Sequence, residues 1–151
     1  SHLPNSPIIA TGKKEGSKLR LPNGNYLEET AYYYVLAETK AGAFMPAQIT
    51  MKSTQLNVAK KWNSMMKTIQ IPNGKGGYSI PPMQGVVYTL TSKLQKNDKG
   101  SWYGWVVNMD RILDQKDKDL YLSSRGFYQS CKSGTVQTKA DVEETSQNVP
   151  F

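Results

Sequence analysis

The sequence is poor in the residues from which most catalytic and metal sites are built. Its one cysteine, Cys131, excludes an internal disulfide and points to a reducing, cytoplasmic compartment. Its one histidine, His2, lies at the very start of the chain. Zinc sites of the Cys/His kind and Ser-His or Cys-His catalysis therefore lack their usual ligands and bases. No run approaches the roughly 20 apolar residues of a membrane span, and the opening residues carry no secretory pattern. Acidic residues are scarce too: 12 Asp and Glu stand against 19 Lys and Arg, for a net charge of +7.

Two stretches imitate functional motifs and fail on spacing. Pro72-Asn73-Gly74-Lys75-Gly76-Gly77 is rich in glycine but lacks the spacing of a phosphate-binding P-loop. It reads as a mobile surface loop. Asp110, Asp114, Asp117 and Asp119 are the main carboxylate cluster ahead of the tail. A metal-dependent nuclease needs carboxylates converging on Mg²⁺. These are interleaved with Lys116 and Lys118, as in a solvated loop, and their spacing departs from the EF-hand pattern. No catalytic residue, metal ligand or cofactor is expected, and the chain reads as a non-enzyme.

What is present is a basic, aromatic-rich chain of 151 residues, enough for one domain with its own core. Its last eleven residues hold Asp141, Glu143 and Glu144 and no Lys or Arg, so residues 1–140 carry +10. A basic body with an acidic end points to a polyanionic partner. Pro, Gly, Ser, Asn and Lys dominate residues 1–25, most of which read as loosely held. The boundaries predicted are a flexible arm over 1–17, a folded domain over 18–138 and an acidic flexible tail over 139–151.

Within the domain, Lys18–Leu21 reads as a first strand and Pro22–Asn25 as a turn. Tyr32–Ala37 is aromatic and β-branched, the composition of a second strand. Ala47, Ile49 and Met51 alternate with Gln48, Thr50 and Lys52, which marks a third. The period then changes. Val58, Trp62, Met65 and Ile69 fall on one face of a helix over about 54–69, with Ser53 or Thr54 as its cap and Pro72 and Gly74 beyond its end. Val86–Thr91 and Ser101–Val107 read as two more strands. Lys96-Asn97-Asp98-Lys99-Gly100 between them is a hairpin turn, because Asn, Asp and Gly tolerate the positive φ such turns require. Leu120–Cys131 suits a second helix, interrupted at Gly126. The fold class predicted is mainly β with one or two helices: a five-stranded OB-fold barrel, its helix between strands 3 and 4.

That architecture suits single-stranded DNA, which needs a basic path for phosphates and flat side chains for bases. The stacking candidates are Tyr33, Tyr34, Tyr88, Trp102, Tyr103 and Trp105, with Tyr32 in the same strand. The phosphate candidates are Lys52, Lys75, Lys93, Lys96 and Lys99. Strand alternation puts Tyr103 and Trp105 on one face and Trp102 on the other, without saying which face is core. Trp62, on the helix's apolar face, is a core residue. Gly104 marks a bulge or a close approach.

The chain's end is Asp141-Val142-Glu143-Glu144 followed by Thr145-Ser146-Gln147-Asn148-Val149-Pro150-Phe151. It resembles the acidic tail of bacterial single-stranded DNA-binding proteins, which closes on an apolar residue, Pro and Phe. It lacks their long Gly- and Gln-rich linker. The runs Met45–Lys67, Asn97–Trp105 and Gly126–Tyr128 resemble uncharacterised phage proteins of the single-strand-binding kind. The resemblance implies a sequence-nonspecific protein that coats DNA in phage replication or recombination, in the host cytoplasm and possible as a homo-oligomer. Asp141, Glu143, Glu144, Val149, Pro150 and Phe151 would recruit partner proteins. The competing readings are a phage module that inhibits a host protein, and a nuclease built on the Asp110–Asp119 cluster.

Overall fold

A computed structural model describes residues 4–16 and 18–136. The tail residues Asp141, Glu143, Glu144, Val149, Pro150 and Phe151 lie outside these. The described residues are mainly β with two helices. After a 3-10 turn at Pro7–Thr11 come β1 (Lys13–Glu15), β2 (Lys18–Arg20) and β3 (Tyr26–Glu28). They form one small antiparallel sheet in that order. The segment predicted as arm and first strand thus contributes a sheet of its own, and Leu21 beside it is buried.

The body is two long hairpins and a helix. β4 (Thr30–Glu38) pairs antiparallel with β5 (Phe44–Lys52). Their turn is closed by Thr39 N–H donating to the Ala43 carbonyl at 2.7 Å, with Gly42 at φ +77° where a side chain would be strained. α1 (Leu56–Thr68) follows a 3-10 turn at Ser53–Gln55. Neither Ser53 nor Thr54 caps the helix with a side-chain hydrogen bond. Instead the 3-10 turn tightens the approach, with Ser53 at φ +52°.

The glycine-rich stretch is the turn of a short hairpin with two-residue strands, β6 (Ile71–Pro72) and β7 (Tyr78–Ser79). Asn73 organises it: its Oδ1 accepts from the N–H of Lys75 at 2.9 Å and of Gly77 at 3.1 Å. β8 (Val86–Asn97) and β9 (Gly100–Ile112) then make the longest hairpin. Both outrun the segments expected from hydrophobicity. The tight turn, in which Asn97 Oδ1 accepts from Lys99 N–H at 2.8 Å, propagates pairing through polar residues as well. A bulge at Val87/Tyr88 shifts the register near the base.

α2 (Lys118–Lys132) runs without interruption through Gly126. The 3-10 turn Gln115–Asp117 that leads into it explains the aspartate cluster. Asp114 Oδ1 accepts from Lys116 N–H at 2.8 Å, and Asp117 accepts from Asp114 N–H and from the Arg111 guanidinium. Two of the four aspartates are committed to this reciprocal cap.

The expected five-stranded barrel is corrected. The strands form four separate antiparallel sheets, and among the described residues none closes into a barrel. The reason lies in how the hairpins meet. Each long strand pairs only with the neighbour joined to it by a tight turn. The hairpins then bring faces, not edges, to α1, so apolar packing replaces the closing hydrogen bonds. Met51, Ala59, Trp62 and Val107 form the core. Trp62 is 3% exposed, with Tyr33 stacked on it at 4.3 Å and Tyr88 edge-on at 5.5 Å.

Candidate nucleic-acid interface

The long hairpin supplies a two-faced ribbon. Its register puts Leu94 opposite Tyr103, Ser92 opposite Trp105, Leu90 opposite Val107 and Tyr88 opposite Met109. Directly opposed residues share a face, so these eight form one side of the ribbon. At the base that side meets α1 through Leu90, Val107 and Tyr88. Beyond Leu90 the ribbon runs on for seven residues to Asn97, about 23 Å at ~3.3 Å per residue. There the same side is open: Tyr103 is 73% exposed, Leu94 45% and Trp105 38%.

Lys96, opposite Ser101, lies on this side; Lys93, opposite Gly104, lies on the other and Lys99 is in the turn, all three exposed. None of the three forms an ion pair among the described residues. Asp98, in the turn, is the acidic residue of the Lys93–Lys99 stretch. The hairpin end is therefore an apolar and aromatic strip beside a cluster of cations.

The reverse side of the same end is closed. Trp102 is half-buried there, its indole N–H enclosed with no acceptor among the described residues. It lines a shallow polar groove of about 330 Å³ with Ser53, Thr54, Asn97, Lys99, Gly100 and Ser101. Gly104 is buried on this side, where a Cβ would lie 2.5 Å from the amide nitrogens of both Gln55 and Gln95. The close approach predicted at Gly104 is made by these two side chains.

The remaining predicted residues do not join this surface. Tyr33 and Tyr88 pack on Trp62. The Tyr33 hydroxyl donates to the Ala59 carbonyl at 3.0 Å and lies 2.9 Å from Asn63 Oδ1. Burial raises the pKa of both phenols, and for Tyr33 the Asn63 contact offsets part of the rise. Tyr34 is exposed on the outer face of the other hairpin, which Tyr32 and Phe44 share. Lys52 sits at the end of β5, 3.8 Å from Glu28. Lys75 is in the β6–β7 turn. Sequence reasoning left out Leu94 and Gln55. Leu94 was readable, because the Asn97–Gly100 turn sets the register that pairs it with Tyr103. Gln55 carried no signal, since its contact spans fifty positions.

A family model described as Pam3 phage gp34-like protein matches residues 3–137. No curated protein and no solved structure matches the chain. The chain belongs to the Pam3 phage gp34-like family.

Proposed function

We propose that this phage-family protein binds single-stranded DNA without sequence preference, as a non-enzymatic coat in phage replication or recombination. One observation carries the reading. Tyr103, Trp105 and Lys96 stand on the same open face of a hairpin end, with Lys99 at its turn and Lys93 on the reverse face. Exposed rings cost a soluble protein solubility unless they meet a partner. Bases supply flat apolar faces, and the phosphates that come with them match the lysines. Stacking is worth about 1–3 kcal/mol per base and does not depend on which base is offered. The arrangement is read as an opened relative of the OB architecture, with two hairpins and the intervening helix kept and the barrel left unclosed. Asp141, Glu143, Glu144 and the tip Val149-Pro150-Phe151 are proposed to recruit replication or recombination proteins in the host cytoplasm. Removing residues 141–151 should abolish that recruitment and leave the hairpin's DNA affinity in place.

A second reading, a module that binds a host protein, is favoured by the outer face of β4–β5. Tyr32, Tyr34, Leu36, Phe44, Pro46, Gln48 and Thr50 share it, with no charge between Glu38 and Lys52. Uncharged aromatic surface is characteristic of the centre of protein interfaces.

Titration with oligo(dT) and with a duplex of equal length, at two salt concentrations, separates the readings. Trp105 is the exposed reporter, so quenching by oligo(dT) that weakens at higher salt is expected, with a small response to duplex. No quenching and no binding by a second method would overturn the DNA reading in favour of a protein partner.

A further inference from the structure

The open face of the hairpin end has value as a platform only if its angle is held, and a two-stranded ribbon extending about 23 Å past its core is flexible by itself. Among the described residues, a long-range side-chain hydrogen bond reaches it from α1's approach. Gln55, in the 3-10 turn that leads into α1, reaches across to β9, and its Oε1 accepts from the Trp105 backbone N–H at 2.8 Å. Trp105 is on the strand whose far edge has no partner strand among the described residues. The Gln55 carbonyl therefore takes the place of a neighbouring strand at one rung. Glycine at 104 accommodates the approach. Its missing side chain leaves the space that the amides of Gln55 and Gln95 fill from the reverse side. The Gln55 Nε2 is enclosed without an acceptor among the described residues, so the contact is kept at a cost in unsatisfied polarity. Gln55 is no member of the apolar core cluster; what ties it to β9 is the hydrogen bond to Trp105.

We infer that Gln55 is a positioning residue. By latching the start of α1 to the backbone of Trp105 through the gap at Gly104, it presets the angle at which Trp105 and Tyr103 meet a ligand. This rests on the single-strand reading of the same face. Preorganisation lowers the ordering cost of binding, so loss of the latch should weaken affinity without touching any residue that contacts DNA.

The test uses the full chain and two independent readouts. Gln55→Met keeps the length and bulk of the side chain and removes the acceptor. Gln55→Glu keeps an acceptor in the same place. Gly104→Ala closes the gap. The first readout is hydrogen exchange at the Trp105 amide, which needs no DNA. Slow exchange is expected in the wild type and in Gln55→Glu, with fast exchange in Gln55→Met and Gly104→Ala. The second is affinity for oligo(dT), expected to fall about three- to tenfold in Gln55→Met, the span of one hydrogen bond. The thermal midpoint of Gln55→Met should stay at the wild-type value. Fast exchange at Trp105 in the wild type overturns the latch. Fast exchange in Gln55→Met with unchanged affinity overturns the positioning role. If the wild type fails to bind oligo(dT), the DNA reading and the positioning role fall together, and the exchange data still decide the contact.

Discussion

The base and the end of the β8–β9 hairpin make the sharpest contrast in the molecule. Tyr88 and Val107 at the base share a side of the ribbon with Tyr103 and Trp105 near the end. The first pair is packed on Trp62 and its neighbours, and the second is open to solvent. Residue type does not separate them, since both ends carry aromatics in the same alternation. Coverage does. α1 has 13 residues, about 20 Å at ~1.5 Å per residue. The 12-residue β8 is about 40 Å long at ~3.3 Å per residue. One short helix cannot cover the whole ribbon, so the same pattern yields a core at one end and an exposed platform at the other.

The contrast can be broken most strongly at its buried end. Trp62→Ala removes the ring on which Tyr33 and Tyr88 pack and should destabilise the fold by about 3–5 kcal/mol. Urea unfolding measures it, and a loss below about 1 kcal/mol would mean that the two ends are not different in kind. Tyr103→Ala, at the open end and 73% exposed, should stay within about 0.5 kcal/mol of wild type in the same assay. Its effect should fall on binding instead. Tyr103→Ala and Trp105→Ala are each expected to lower oligo(dT) affinity by about 1–3 kcal/mol. Equal binding by the double variant would remove the platform from the proposal.

Finer changes sharpen the picture. Tyr33→Phe keeps the ring stacked on Trp62 but loses the contacts to Ala59 and Asn63, and should cost about 1 kcal/mol of stability. Lys93→Ala, Lys96→Ala and Lys99→Ala should each flatten the salt dependence of oligo(dT) binding by about 0.7 in the log–log slope. An unchanged slope would assign those lysines to solubility alone. The smallest effect is electrostatic. The Arg111 guanidinium and the Asp114 backbone N–H hold Asp117 below the usual carboxylate range. The folded pKa is depressed, so the stability it contributes is present above the unfolded value of about 3.9 and is lost as pH falls through the folded one. Asp117→Asn should remove that acid-side loss, seen as a flatter thermal midpoint below about pH 4.

Much of the local structure was legible. The strands around Tyr32–Ala37 and Ala47–Lys52, the helix around Trp62 and the Asn97–Gly100 turn follow from periodicity and turn chemistry. Gly126 misled, because a glycine's helix cost of about 1 kcal/mol is too small to break the 15-residue α2. The barrel misled for a different reason. Element order constrains which strands can be neighbours but not whether their edges meet, and here the hairpins are joined through side-chain packing on α1. At the candidate interface, Tyr103, Trp105 and Lys96 share one face of the hairpin end, with Lys99 at its turn and Lys93 on the reverse face. Tyr33 and Tyr88 went to the core, and Lys52 and Lys75 to other elements.

By itself the sequence determined the periods, the turns, the excess of positive charge and the near-absence of histidine and cysteine. These properties belong to single residues and their near neighbours. Only the tertiary structure decided which member of an alternating aromatic pair is buried, Tyr33 or Tyr34, and how far along β9 burial ends. It also decided that Gln55 meets Trp105. Alternation defines two faces of a strand, but which face is covered, and over what length, depends on where a helix from another part of the chain comes to rest.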